Sequence, residues 1–321
     1  MTLRVKIALV AAGALLAAIA HAQPSKPIRF LVGSSPGGAT DIVARLIAQK
    51  LAEGTGQQVV VDNRTGASGN IATELLVRAA PDGHTILACT NSMFAIQPFL
   101  GKKLPYDPEK DLATVTQTVS QPYILAIHPS LPARSVKELV AIAQRRPGEI
   151  HYGSAGIGTS SHLAAALFES RTGARFNHVP YKGTGQALTD LLAGQVGMLF
   201  VQTVSSAPHI QAGKLRALGI SSPARFPALP EIPTIAEAGI PDYDAVSWTG
   251  VCAPAATAPP TLARLNGEIV KVLRLPDVRS RLLRDGVEPV GSTPEEFRAH
   301  ARREAAKWSR LIREIGVTTE G

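Results

Sequence analysis

Apolar positions along this chain alternate between short continuous runs and helical stripes. Ile28 to Val32 (IRFLV) predicts a strand, and Ile42, Leu46, Ile47 and Leu51 predict one face of a helix after it. The alternation continues with strands at Gln58 to Val61 and Thr85 to Cys89 and a helix near Gly69 to Ala79. A second series places strands at Tyr123 to Ile127, Ile150 to Gly153, Phe176 to Val179, Met198 to Val201 and Leu215 to Ile220. Helices are expected at Ser135 to Arg145, Ser160 to Thr172, Gly185 to Ala193 and Ser205 to Ala212. A proline-rich connection, Pro223 to Pro241, leads to a strand at Ser247 to Cys252. The last third is helical: Thr261 to Leu273, Pro276 to Arg284 and Pro294 to Ile315. Strands alternating with helices mark parallel α/β units. Ser135 with Glu138, and Thr293 with Glu296, read as capping boxes.

Ser34 to Asp41 (SSPGGATD) joins the first strand to the first helix. Gly37 and Gly38 let the backbone approach a bound group, since no Cβ intervenes. The unpaired N–H groups of the helix start then favour an anion such as a carboxylate or phosphate. No lysine or arginine lies in the loop, so backbone amides must supply the recognition. The same residues fit an ordinary strand-to-helix connection equally well. Asp41 is expected to cap the helix rather than to touch an anion. Strands ending near residues 33, 62 and 90 deliver this loop, Asn63 to Asn70 and Thr90 to Ser92 to one sheet edge, where open α/β sheets bind ligands.

The start of the chain changes the compartment. Arg4 and Lys6 precede an apolar stretch, Ile7 to Ala20, and Ala20-His21-Ala22 forms an A-x-A-like cleavage site. The expectation is an exported, soluble, periplasmic protein cleaved after Ala22. The remaining chain of about 300 residues suggests two domains. The net charge of +8 reflects basic residues spread among acidic ones near the C-terminus. With few interleaved aromatics, solvated helix faces explain them better than a nucleic-acid site. Cys89 and Cys252 each sit in an apolar run; export permits a disulfide, but two buried free thiols are the simpler expectation.

Enzyme signatures are missing. Gly153-Ser154-Ala155-Gly156 lacks the G-x-S-x-G spacing, and Gly156-Ile157-Gly158 lacks the third glycine of a dinucleotide loop. The histidines form no metal-ligand pair, so neither metal nor cofactor is expected. His151, His162 and His178 read as ordinary surface or loop residues.

Several local patterns together resemble the substrate-binding receptors of tripartite tricarboxylate transporters, the Bug family. They are SSPGGATD, Asp62-Asn63-Arg64 through Gly69-Asn70, Pro81-Asp82-Gly83, Leu104 to Pro108, Tyr152 to Gly156, Val179 to Gly183 and Gly213 to Leu218. Pro230, Pro233-Thr234, Glu237-Ala238-Gly239 and Trp248 with Gly250 extend the likeness through the mature chain. The resemblance implies an α/β type II periplasmic binding protein fold, two lobes joined by two crossing strands with a ligand cleft between. Residues 23–122 with 246–321 would form one lobe and 123–245 the other. It also implies a non-enzymatic, monomeric receptor that passes a small carboxylate to a membrane permease, or reports it to a membrane sensor. Implied contacts are Ser35, Gly37, Gly38, Ala39, Thr40, Asp41, Ser68, Asn91 and Ser92 from one lobe. From the other come Gly156, Thr159, Ser160, His162, Tyr181 and Gly183, with Gln202 and Thr203 facing the cleft. His162 either donates to the ligand or supports its loop. The family commonly has an aspartate where this chain has Gln202, which points to a ligand without a free amine.

Overall fold

The computed structural model describes residues 26–101, 103–226 and 229–317. The proposed signal segment and its cleavage point at Ala22 lie outside the described residues. Strands β1 (Ile28–Val32), β2 (Val59–Asn63) and β3 (Thr85–Thr90) are parallel in the order β2-β1-β3. They are linked by helices α1 (Ala39–Thr55) and α2 (Asn70–Val77). On α1 the buried stripe runs through Val43, Ile47 and Leu51, with Ile42 only partly covered. Spacing of four keeps those three side chains over β1 and β3. Gly56 ends the helix at φ 69°, a left-handed position that glycine adopts freely.

Strand β4 (Leu112–Ile127) holds the molecule together. Its 16 residues follow the short helix α3 (Pro108–Asp111) and run through both lobes. Leu112 to Pro122 pair with β9 (Val246–Pro254), which in turn pairs with β3. Beyond Pro122 the same strand pairs with β7 (Met198–Gln202) on one side and β8 (Arg216–Ile220) on the other. The parallel strands β5 (His151–Ser154) and β6 (Asn177–Pro180) complete that half. Its helices are α4 (Val136–Arg145), α5 (Ser160–Thr172), α6 (Thr184–Leu192) and α7 (Thr203–Gln211). The chain returns through Val246, opposite Pro122, so the two crossings lie side by side.

The sequence expectation began this strand at Tyr123. The structure extends it eleven residues earlier. Thr114, Thr116 and Thr118 are buried there because their hydroxyls donate to the carbonyls of Pro294, Ser292 and Thr249. Those partners lie 131 to 180 residues away, out of reach of any local pattern. The C-terminal segment supplies α8 (Pro259–Arg274), α9 (Pro276–Arg284), the short β10 (Glu288–Pro289) and α10 (Pro294–Ile315). Phe297 and Ala301 of α10 pack with Trp248 in the first lobe, whereas Trp308 and Ile312 pack with the core of the second.

Two expectations are corrected. Cys89 and Cys252 are joined by a disulfide, with Cα atoms 6.0 Å apart, because the antiparallel β3–β9 register sets the two strands side by side. At α4 only half of the capping box forms: Ser135 Oγ accepts from the Glu138 amide, but the Glu138 carboxylate accepts from Arg134 N. At α10 both arms are present.

Candidate functional site

A cavity of about 60 Å³ lies where the two lobes meet. Its floor is the crossing itself, Tyr123 and Ser247, with Gln202 at the end of β7. Ser34, Thr40, Ser68, Asn91 and Ser92 line it from the first lobe; Thr159, Ser160, Ser161, Gly183 and Thr184 line it from the second. No charged side chain reaches it among the described residues.

Several helices start at this cavity, α2 among them through its N-cap Gly69. α1 begins after Gly38, α6 after Gly183 and α7 after Gln202, none with a side-chain cap. α5 is capped by Thr159, whose Oγ1 accepts from the His162 amide. The first amides of an α-helix have no internal partner, and the dipole adds partial positive charge behind them. Converging starts therefore make an electropositive chamber without a cation. Ser34 Oγ, Asn91 Nδ2 and Gln202 Oε1 are buried there without a hydrogen-bond partner. Burial pushes the Tyr123 hydroxyl up to about 12, so it stays protonated as a donor.

The glycine loop is fixed from below. Asp41 Oδ2 accepts from Gly37 N at 3.0 Å and from Arg45 Nε at 2.9 Å, while Oδ1 accepts from Asn63 Nδ2 at 2.9 Å. Asn63 Nδ2 also donates to the Ser34 carbonyl. Burial alone would raise the Asp41 carboxyl, but these donors, Arg45 foremost, hold it below the ordinary range. Asp41 thus serves the helix start from its third position, through the amide preceding the cap. Gly37 and Gly38 have committed their amides, to Asp41 and to the Ser35 carbonyl. Ser34 and Thr40 are the loop residues that line the chamber.

Of the other residues singled out from sequence, Ser68, Asn91, Ser92, Thr159, Ser160, Gly183 and Gln202 line this cavity. Ser35, Gly37, Gly38, Ala39 and Asp41 do not line it; they belong to the loop and helix start that carry Thr40. Gly156 and Tyr181 face a neighbouring cavity. Thr203 is fully buried beside Gly286, whose missing Cβ makes room for it. Tyr123, Ser247 and Thr184 were missed: the first two read only as crossing strands, and nothing local placed them at the cleft.

The lobes touch across the cleft. Ser68 Oγ donates to the Ile157 carbonyl at 2.5 Å, Ser92 Oγ to Gly158 at 2.8 Å, and Ser160 Oγ to Asn91 Oδ1 at 2.5 Å. Gln97 Nε2 bridges the Ile157 and Gly158 carbonyls. The loop 155–159 is thereby latched to the first lobe, a closed arrangement.

His162 supports that loop from behind: its Nδ1 accepts from the Gly158 amide at 3.1 Å. Its ring stacks on His178, centroids 4.3 Å apart, and His178 stacks on Tyr152. Of the two roles open to His162 from sequence, the structure shows the loop-supporting one; His162 is buried and His178 partly buried, so neither is an exposed surface residue. His178 Nε2 lies 2.6 Å from Ser154 Oγ, a pairing seen in nucleophilic enzymes. Here the hydroxyl is fully buried, accepts from the Gly156 amide and does not line the cavity.

Burial lowers His162 to about 3, with repulsion from His178 adding to it, and lowers His178 to about 4. An unfolded histidine titrates near 6.5. Below about pH 6.5 the unfolded chain therefore binds more protons, and stability falls as pH drops towards about 4. The melting temperature of His178→Phe, which keeps the stack, should decline less between pH 6.5 and 4 than wild type. Glu169, whose carboxyl burial pushes up, acts in the opposite sense in both proteins. Parallel curves would refute this origin.

Residues 43–317 match the tripartite tricarboxylate transporter family receptor. The chain belongs to that family. It is 37% identical to protein BugT of Bordetella pertussis over 93% of this chain and 92% of the relative. The structure of R. palustris Rpa4515 with adipate superposes at a TM-score of 0.89, with 35% identity over 92% of this chain and 99% of that one. MatC from Rhodopseudomonas palustris with bound malate follows at 0.86, with 31% identity over 90% and 100%. The fold is therefore that of the family's periplasmic solute-binding receptors, and no described helix is long and apolar enough to cross a membrane.

Proposed function

We propose that this receptor captures a small amine-free carboxylate in the interlobe chamber, without transforming it, and presents it to a tripartite tricarboxylate-type permease. One observation carries the reading. The chamber offers neutral donors and helix starts but no side-chain charge of either sign. Such a site stabilises an anion through fixed dipoles. An ammonium would find only neutral acceptors such as Gln202 Oε1 and would lose its hydration uncompensated. The adipate and malate held by its relatives support the same class. Export with cleavage after Ala22 is part of this proposal, since the permease partner needs a periplasmic receptor.

Calorimetry against malate, succinate, adipate, benzoate, aspartate and glutamate tests it. Amine-free acids should bind at about micromolar Kd, corresponding to about −8 kcal/mol. Tighter binding of aspartate or glutamate than of every amine-free acid would overturn the proposed class, and measurable turnover would overturn the receptor role.

A further inference from the structure

A second cavity, about 310 Å³, opens beside the chamber. Three chain segments pass from one to the other within a single step. Ser68 lines both; Ala155 lines the inner and Gly156 the outer; Gly183 lines the inner and Lys182 the outer. The partition is thus about one residue thick. It closes where Ser68 Oγ meets Gly156: a Cβ added there would lie 3.2 Å from that oxygen and 3.0 Å from the Tyr181 carbonyl. Ala67 and Ser68 hold left-handed conformations, φ 45° and 55°, which non-glycine residues rarely adopt and which concentrate at functional sites. The Ser68 hydroxyl is tied to the Ile157 carbonyl across the cleft, so at this point the partition is a side chain, which a ligand spanning both cavities would turn aside.

Among the described residues Lys182 is the one charged side chain lining either cavity. It is exposed and makes no ion pair with them; its amide donates to Gln186. The inner chamber is small and uncharged, whereas the outer one is five times larger and carries a single mobile cation. Resting on the carboxylate reading above, we infer that the outer cavity is a subsite for a second anionic group. Lys182 then selects diacids long enough to reach past Ser68 over short diacids and monoacids. A flexible ammonium on a four-carbon stem suits a ligand whose far end varies in position.

The test is calorimetry at low salt on wild type, Lys182→Gln and Lys182→Glu. The ligands are the straight-chain diacids from succinate to suberate, with hexanoate and octanoate as controls. Lys182→Gln should weaken the longer diacids about tenfold and succinate and the monoacids less than twofold. Lys182→Glu should weaken the longer diacids further, and added salt should erode the wild-type preference for them. Equal losses for all acids, or none, would overturn the subsite while leaving the carboxylate reading intact. If wild type bound no acid of either series, the reading itself would fall, and the subsite with it.

Discussion

Gly185→Ala should weaken ligand binding at least a hundredfold while the melting temperature of the ligand-free protein stays within a few degrees of wild type. Gly185 is the second residue of α6, where alanine favours the helix by up to about 1 kcal/mol. The obstruction lies entirely on the other lobe. A Cβ at this position would overlap the Pro36 carbonyl oxygen and lie 3.1 Å from Ser35 Oγ and 3.2 Å from Gly38 N. Backbone cannot rotate away as a side-chain end can, so the lobes would stop short of the closed arrangement. Apparent affinity scales with the fraction of protein able to close. The sequence singled out Gly38, but a Cβ there meets nothing nearer than 3.3 Å, so Gly38→Ala should be much milder. Titration calorimetry paired with a melting curve separates closure from folding. Wild-type affinity in Gly185→Ala would show that binding does not need this contact.

Replacing both cysteines by alanine should lower stability by about 3–5 kcal/mol, through the loop the bond closes. The bridge spans 163 residues and fastens β3 to β9, next to the second crossing. For a protein of this size the melting temperature should drop by about 10 °C. Both sulfurs are buried against Leu31, Trp248 and Phe297, so part of the loss would come from packing rather than chain entropy. Changing the two together avoids leaving a reactive thiol. Ligand affinity should change little, since neither cysteine lines the chamber. An unchanged melting temperature in non-reducing buffer would mean the bond contributes nothing to the native state.

Much of the fold was legible in the sequence. The strand Ile28–Val32 and the helices Ser160–Thr172, Pro276–Arg284 and Pro294–Ile315 have the boundaries read from sequence. In each, hydrophobic period, a cap or a proline agree within a few residues. The capping box at Thr293 is a three-residue relation, so it could be read directly. The segment Ser92–Ile96, which turns as a π-helix, and the polar start of β4 were not legible. What buries them comes from α10 and the C-terminal loop, and no local window contains those partners.

The chain's order alone determined an α/β protein with two lobes and a glycine turn at a helix start, because periodicity and turn chemistry act over a handful of residues. Only the tertiary structure decided that Gly37 and Gly38 commit their amides to the loop itself, that Tyr123 and Ser247 floor the chamber, and that the two cysteines are joined. The first is a set of bonds within residues 35–41 that periodicity does not encode, and the other two depend on segments far apart in the sequence. The register of β3, β4 and β9 that brings them together is fixed by packing between elements rather than within them.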